Sequence, residues 1–418
     1  MSILSILREQ YSKLTIDLSK KLTKTEKKAH GIYITPKSII ENLYESALNA
    51  LNKPETEIKR ILEPSCGTCE MIKFCDDRLK DVTITGVEFN DKIFAAINRI
   101  VFKNSVTIHH ADFLCFETDE KYDLIIGNPP YFVCKNDRVP EEYQPFIRGR
   151  PNIFGLFILK SLSMLEDGGV LAFVVPKSFL NAAYYAPIRN HIKKTCVICD
   201  IADYSDMNEF IDTDQATFGL VIRKRTQSDN DDLKEAECEY SLLIKSDYVF
   251  TDNVAELKLL FDGSTTIEQM GLKVRTGRIV WNENKGILTD DANKTTLIYN
   301  SNISSANKFE AREFSNVEKK QYIKQDGYID PALVVNRGNG NSAYKLTYAV
   351  ITTGPYLIEN HLNEIYSPNK LKRDDLMKKF SAIVKSFKDP RTKKFIEMFL
   401  GNNGMSKTEL ETVLPIYL

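Results

Sequence analysis

The run Asp123-Leu124-Ile125-Ile126-Gly127 is apolar enough for a buried strand, and it ends against Asn128-Pro129-Pro130-Tyr131-Phe132. No other stretch limits the fold as tightly. Each proline holds φ at about −65° and lacks an N–H, so neither a helix nor a sheet ladder continues past Asn128. The strand therefore stops at a rigid rim of acceptors. The side-chain oxygen of Asn128 and the backbone carbonyl of Pro129 together suit the two hydrogens of an exocyclic amino group. Tyr131 is expected to lie against the ring that carries this amine, where stacking contributes roughly 1–3 kcal/mol per base. For the tetrapeptide alone, an ordinary turn after a core strand is the alternative.

A chain of 418 residues has room for two or three domains and a sizeable core. It holds no run of about 18 apolar residues and no signal-peptide core, so a soluble, cytoplasmic chain without membrane contact is expected. Eight cysteines include the pairs Cys66/Cys69 and Cys196/Cys199. Reduced thiols are expected there, with zinc or redox chemistry as the alternative. The net charge of −1 conceals an asymmetry: residues 241–418 carry 25 Lys and Arg against 21 Asp and Glu, and residues 1–240 carry 31 against 36. The basic excess lies in the carboxyl-terminal part, densest from Lys370 to Lys394, where phosphate contacts or a solvated face are both compatible readings.

In chain order, residues 1–30 read as an amphipathic helical arm (Ile3, Leu4, Ile6, Leu7, Tyr11, Leu14) with a lysine-rich tether, suited to a lid or packing arm. Thr35 before Pro36 is expected to cap a helix through Leu51, whose N-terminus can hold a carboxylate. A strand over Ile58–Leu62 empties into Glu63-Pro64-Ser65-Cys66-Gly67, a turn of the kind that cradles nucleotide-like ligands at the carboxyl end of a parallel sheet. Val82 to Glu88-Phe89 is a second strand, with an acid placed to accept ribose hydroxyls. Ile108 to Asp112-Phe113 is a third, with Asp112 set to read an adenine amino group and Phe113 to flank the ring. His109 and His110 are strand residues rather than metal ligands, since no third ligand lies at useful spacing.

The order Thr35-Pro36, Glu63-Pro64-Ser65-Cys66-Gly67, Glu88, Ala111-Asp112-Phe113, Asn128-Pro129-Pro130-Tyr131 resembles the gamma class of N6-adenine DNA methyltransferases, the TaqI-like modification enzymes of type II restriction systems. The resemblance continues through Asn152-Ile153-Phe154-Gly155-Leu156-Phe157, Asp167–Pro176, Ile201–Phe210 and Thr217–Ile222. It implies an α/β, Rossmann-like methyltransferase domain over residues 31–225, a linker over 226–240, and a mixed α+β target-recognition domain over 241–418. It implies S-adenosylmethionine as cofactor, S-adenosylhomocysteine as product, and no metal.

The same resemblance places Thr35, Glu63 to Gly67, Glu88, Phe89, Asp112, Phe113, Asn128 and Phe157 around the cofactor. Asn128, Pro129, Pro130 and Tyr131 become the catalytic loop, and Tyr131 and Phe210 the two faces against an extruded adenine. The family commonly has a second glycine where Cys69 stands and a small residue where Glu70 stands. Arg275, Arg278, Arg337 and Lys345 are expected to contact double-stranded DNA, with surface solubility the competing reading. A monomer paired functionally with a cognate endonuclease is implied. Asn-Pro-Pro-Tyr also occurs in enzymes that methylate protein glutamine or RNA guanine, and an inactive DNA-specificity module is a further alternative.

Overall fold

The computed structural model describes residues 10–23, 26, 33–204, 216–227, 239–338, 344–369, 371–399 and 404–418. The chain divides into two compact units between Val254 and Ala255.

In the first unit, helix α1 (Lys13–Lys21) precedes α2 (Lys37–Leu51). Strands and helices then alternate: β1 (Arg60–Glu63), α3 (Glu70–Arg78), β2 (Thr83–Glu88), α4 (Asp91–Ile97), β3 (Ser105–His110) and β4 (Tyr122–Gly127). Next come α5 (Ile153–Met164), β5 (Leu165–Pro176), α6 (Ala186–Thr195), β6 (Cys196–Asp203) and β7 (Thr217–Lys224). They form a seven-stranded sheet in the order β3-β2-β1-β4-β5-β7-β6. Neighbours from β3 to β5 run parallel, and β7 is antiparallel to both β5 and β6. This is the Rossmann-like α/β arrangement that the resemblance implies.

The interior strand β5 is buried from Val170 to Pro176, the near-continuous apolar run of a strand covered on both faces. Leu171, Phe173 and Val175 pack into one core with Phe154, Ile158 and Ile188. Val170, Ala172 and Val174 pack into the other with Ile39, Leu43 and Tyr44 of α2. The alternation follows from the period of two along a strand.

Chain direction across the sheet reverses between β1 and β4, and in open α/β sheets ligands bind at the carboxyl ends of strands beside such a reversal. Glu63, Glu88 and Asn128 all lie at those ends. The strand Ile201–Phe210 of the sequence reading is instead the longer β6 from Cys196, which stops at Asp203; Phe210 lies outside the described residues, as do residues 1–9 of the expected amino-terminal helix.

A hairpin of β8 (Ser241–Ile244) and β9 (Asp247–Phe250) belongs to the first unit, which carries that unit beyond the 240/241 boundary drawn from sequence. The reason is packing. Arg189 of α6 is buried and donates to the carbonyl of Tyr248 at 2.6 Å, and Phe250 meets Phe179 edge to face.

After α7 (Val254–Phe261), the second unit is α+β. One antiparallel sheet orders β10 (Lys273–Thr276), β17 (Leu362–Tyr366), β14 (Ala332–Asn336) and β15 (Tyr348–Ile351) side by side. A second, mixed sheet holds β11 (Leu288–Thr289), β13 (Tyr322–Ile323), β12 (Thr295–Ile298) and β16 (Tyr356–Ile358). Helices α8 (Arg373–Phe387), α9 (Pro390–Phe399) and α10 (Lys407–Thr412) follow. Among the described residues, no helix is long and apolar enough to cross a membrane.

Candidate active site

One cavity of about 400 Å³ opens at the carboxyl ends of β1, β2 and β4. Its wall brings together Thr35, Glu63, Pro64, Ser65, Cys66 and Gly67 with Glu88, Phe89, Asp112 and Phe113. Asn128, Pro130 and Phe157 line the same space. Its size falls in the range of small-molecule sites.

The turn after β1 is built by its backbone. Gly67 has φ +49° and Cys69 φ +64°, left-handed values that glycine adopts freely and cysteine rarely. Cys69 thus adopts a backbone conformation that glycine favours, and its buried side chain packs in the core beneath the turn. Glu88 holds the turn from β2, its two carboxylate oxygens accepting from Gly67 N at 2.8 Å and Asn90 N at 2.6 Å. Ser65 donates to the backbone carbonyl of Asn128 at 3.2 Å and so ties the turn to the loop after β4.

Burial raises the carboxyl of Glu63 well above the usual carboxylate range, with nearby Cys69, Glu88 and Glu70 adding to the effect. Burial also raises Glu88, against the opposing pull of its backbone donors. A cationic ligand in this cavity relieves both. The aromatic wall is formed by Phe113 and Phe157, whose ring centroids are 4.8 Å apart, and Phe89 is 57% exposed beside it. Asp112 accepts from Leu114 N at 3.0 Å and pairs with Arg138 at 3.0 Å. The described wall thus offers carboxylate acceptors, apolar ring faces and a backbone-built turn, a donor and acceptor set that fits an adenosine linked to a cationic amino acid.

The loop after β4 departs from expectation in detail. The Asn128 amide nitrogen donates to Tyr33 O at 3.2 Å and to Thr35 Oγ1 at 3.0 Å. The hydroxyl of Tyr131 lies against Asn128 Oδ1 and 2.8 Å from Val174 O. Tyr131 is therefore buried, stacked on Tyr33 at 5.8 Å and edge-on to Phe154. Its ring does not stand exposed for stacking. Thr35 does not cap α2 either: Pro36 is the N-cap, without a side-chain hydrogen bond, and the Thr35 hydroxyl is turned to Asn128. At α5, by contrast, Asn152 caps the helix through Phe154 N at 3.4 Å.

Several lining residues escaped the sequence reading. Arg138 carries no spacing signal. Leu18, Ser19 and Leu22 bring α1 to the cavity wall, where Glu70 accepts from Ser12 N at 3.1 Å and from the Thr15 hydroxyl. The amphipathic pattern of the arm was the available signal.

Of the expected DNA contacts, Arg275 is taken up by an internal ion pair with Glu364, at 2.8 and 2.6 Å. Arg337 donates to Asn360 O at 2.7 Å, whereas Arg278 and Lys345 are exposed.

The Eco57I restriction-modification methylase family model matches residues 72–210. Over those residues the chain is similar to Eco57I-type restriction-modification methylases. The matched stretch includes the loop at Asn128, Asp112 and the whole of α5. Modification methylase CviBIII of Paramecium bursaria Chlorella virus NC1A is 27% identical over 98% of this chain and 99% of its own length. Type II methyltransferase M.CvrRI of Paramecium bursaria Chlorella virus XZ-6E is 28% identical over 96% and 98%. Among solved structures, a class I S-adenosylmethionine-dependent methyltransferase from Listeria monocytogenes superposes with a TM-score of 0.43 at 20% identity, covering 51% of this chain and 66% of that one.

Proposed function

We propose that this chain is a site-specific DNA methyltransferase that transfers a methyl group from S-adenosylmethionine to N6 of an adenine extruded from duplex DNA. The observation that carries this reading is the single cavity in which Glu88, Asp112, Phe113 and Phe157 share a wall with Asn128. The type II methyltransferases with which the chain aligns over nearly its full length support DNA as the acceptor.

The cofactor, when bound, supplies an activated methyl group on a sulfonium. Glu88 and Asp112 are assigned to its ribose and adenine edges, Phe89, Phe113 and Phe157 to the ring faces, and the turn from Glu63 to Gly67 to the methionine part. Asn128 Oδ1 and the Pro129 carbonyl accept the two amine hydrogens of the target, drawing its nitrogen toward a tetrahedral, nucleophilic geometry. Position and polarisation then carry the direct transfer, and no cysteine nucleophile is needed. Base extrusion is required because N6 in a stacked duplex cannot reach a protein pocket. Tyr131 is assigned to one face of the base after its ring leaves the Tyr33 contact. Phe210 is assigned to the other face. Arg278 and Lys345, on the second unit, are retained as DNA contacts, with Arg337 as a less exposed third. Protection of DNA from a cognate endonuclease is the biological role that follows.

Transfer of labelled methyl to mixed-sequence DNA, to RNA and to protein, with Asn128→Ala as control, tests the reading. Label recovered as N6-methyladenine in DNA and lost in the variant is the expected result. Label confined to RNA or protein overturns the substrate assignment.

A further inference from the structure

We propose that Thr35, with the backbone carbonyl of Tyr33, positions the side-chain amide of Asn128 so that its oxygen faces the target amine. This inference rests on the reading of Asn128 as the amine acceptor. A primary amide has two N–H donors and one oxygen, and its two ends are useful to an amine substrate only if the oxygen is the end presented. In this chain both hydrogens have acceptors: Tyr33 O at 3.2 Å and Thr35 Oγ1 at 3.0 Å. A backbone carbonyl can only accept. Turning the amide over would set Asn128 Oδ1 against the Tyr33 oxygen, so the pair selects one orientation of two.

The opposite end of the amide bears on what that orientation offers. Oδ1 faces the Tyr131 hydroxyl, which also lies 2.8 Å from Val174 O, so the oxygen end is the one turned toward a group that can donate. Thr35 and Tyr33 keep the amide aimed that way.

Thr35 is only 6% exposed, and the residues that follow it enter α2, whose Ile39, Ile40 and Leu43 are buried. The clamp is therefore fixed to a core helix. With Asn128 donating into its oxygen, the Thr35 hydroxyl keeps its own proton for an acceptor in the cavity that it also lines. One side chain thus touches both the cofactor space and the amide that meets the methyl acceptor.

The test uses the full chain with Thr35→Val, Thr35→Ala and Thr35→Ser. Single-turnover methyl transfer is measured at saturating cofactor and DNA, cofactor affinity by calorimetry, and folding by thermal melting. Loss of the hydroxyl is expected to slow transfer at saturation by about tenfold, with Thr35→Ser recovering most of it, because an unheld amide samples the wrong face and leaves one donor unpaired. Thr35→Ala keeps the test open should the valine variant fail to fold. Hydroxyl-less variants that reach the wild-type rate at saturation, and bind cofactor less tightly, would make Thr35 a cofactor ligand alone and overturn the proposal. A wild-type chain that methylates no DNA overturns the functional reading instead, and that outcome is visible before any variant is made.

Discussion

Arg275 and Glu364 face each other across β10 and β17 as a two-pronged ion pair, Nε to Oε2 at 2.8 Å and Nη2 to Oε1 at 2.6 Å. Glu364 is fully buried and also accepts from the Tyr356 hydroxyl at 2.7 Å, while the guanidinium lies 3.5 Å from the ring centre of Tyr328. Removing one member of such a pair leaves a charge without its partner. Glu364→Ala is expected to cost about 3–5 kcal/mol of the second unit's stability in denaturant unfolding. An Arg275→Ala variant that weakens DNA binding at unchanged stability would show that the arginine serves DNA after all.

Tyr131 separates ring from hydroxyl. Tyr131→Phe keeps the stacking surface and removes the hold on Asn128, so methyl transfer is expected to stay within about tenfold of wild type. Tyr131→Ala also loses the ring, and a further loss of roughly 1–3 kcal/mol in transition-state stabilisation should appear in kcat/KM for DNA. Equal defects in the two variants would place the function in the hydroxyl.

Glu70 acts as the anchor of α1 at the cofactor cavity through Ser12 N and the Thr15 hydroxyl. Glu70→Ala is expected to speed cofactor release by about tenfold, the scale of one charge-assisted hydrogen bond, while the transfer rate at saturating cofactor holds. Stopped-flow displacement of a fluorescent cofactor analogue measures it. An unchanged release rate would leave α1 as packing only.

The raised carboxyls of Glu63 and Glu88 give stability a definite slope with pH. Burial lifts both above their unfolded values, so the folded chain keeps protons that the unfolded chain releases. Their contribution is complete below the ordinary carboxylate range and is lost as pH rises through the raised values. Glu63→Gln replaces the acid by a neutral amide that can still accept from Ile72 N, as Glu63 does at 3.2 Å. Melting temperatures of variant and wild type should converge near pH 4, and the variant should gain on wild type toward pH 9. A constant difference across that range would count against the buried-acid account.

Much of the first unit was legible because its signals are local. An apolar run that meets two prolines, acids at the carboxyl ends of β1 and β2, and Asn152 ahead of α5 each declare themselves within a few residues. What escaped was pairing across long separations. Thr35 reads as a helix cap because Pro36 follows it; its actual partner, Asn128, is 93 residues away. Arg275 reads as a free cation because Glu364 is 89 residues off. Tyr131 reads as an open stacking platform because nothing near it in sequence announces Tyr33. Local chemistry fixes which groups are available, whereas sheet register and loop closure decide which of them are already engaged.

The hairpin of β8 and β9 changes how such a chain could be recombined. The polar stretch ending near residue 240 looks like a natural seam, but a cut there removes the Tyr248 carbonyl from the buried guanidinium of Arg189 and uncovers the Phe179 ring that Phe250 packs against. An exchange of the second unit therefore has its splice point after the hairpin and ahead of the helix that starts at Val254, with the hairpin kept in the first unit.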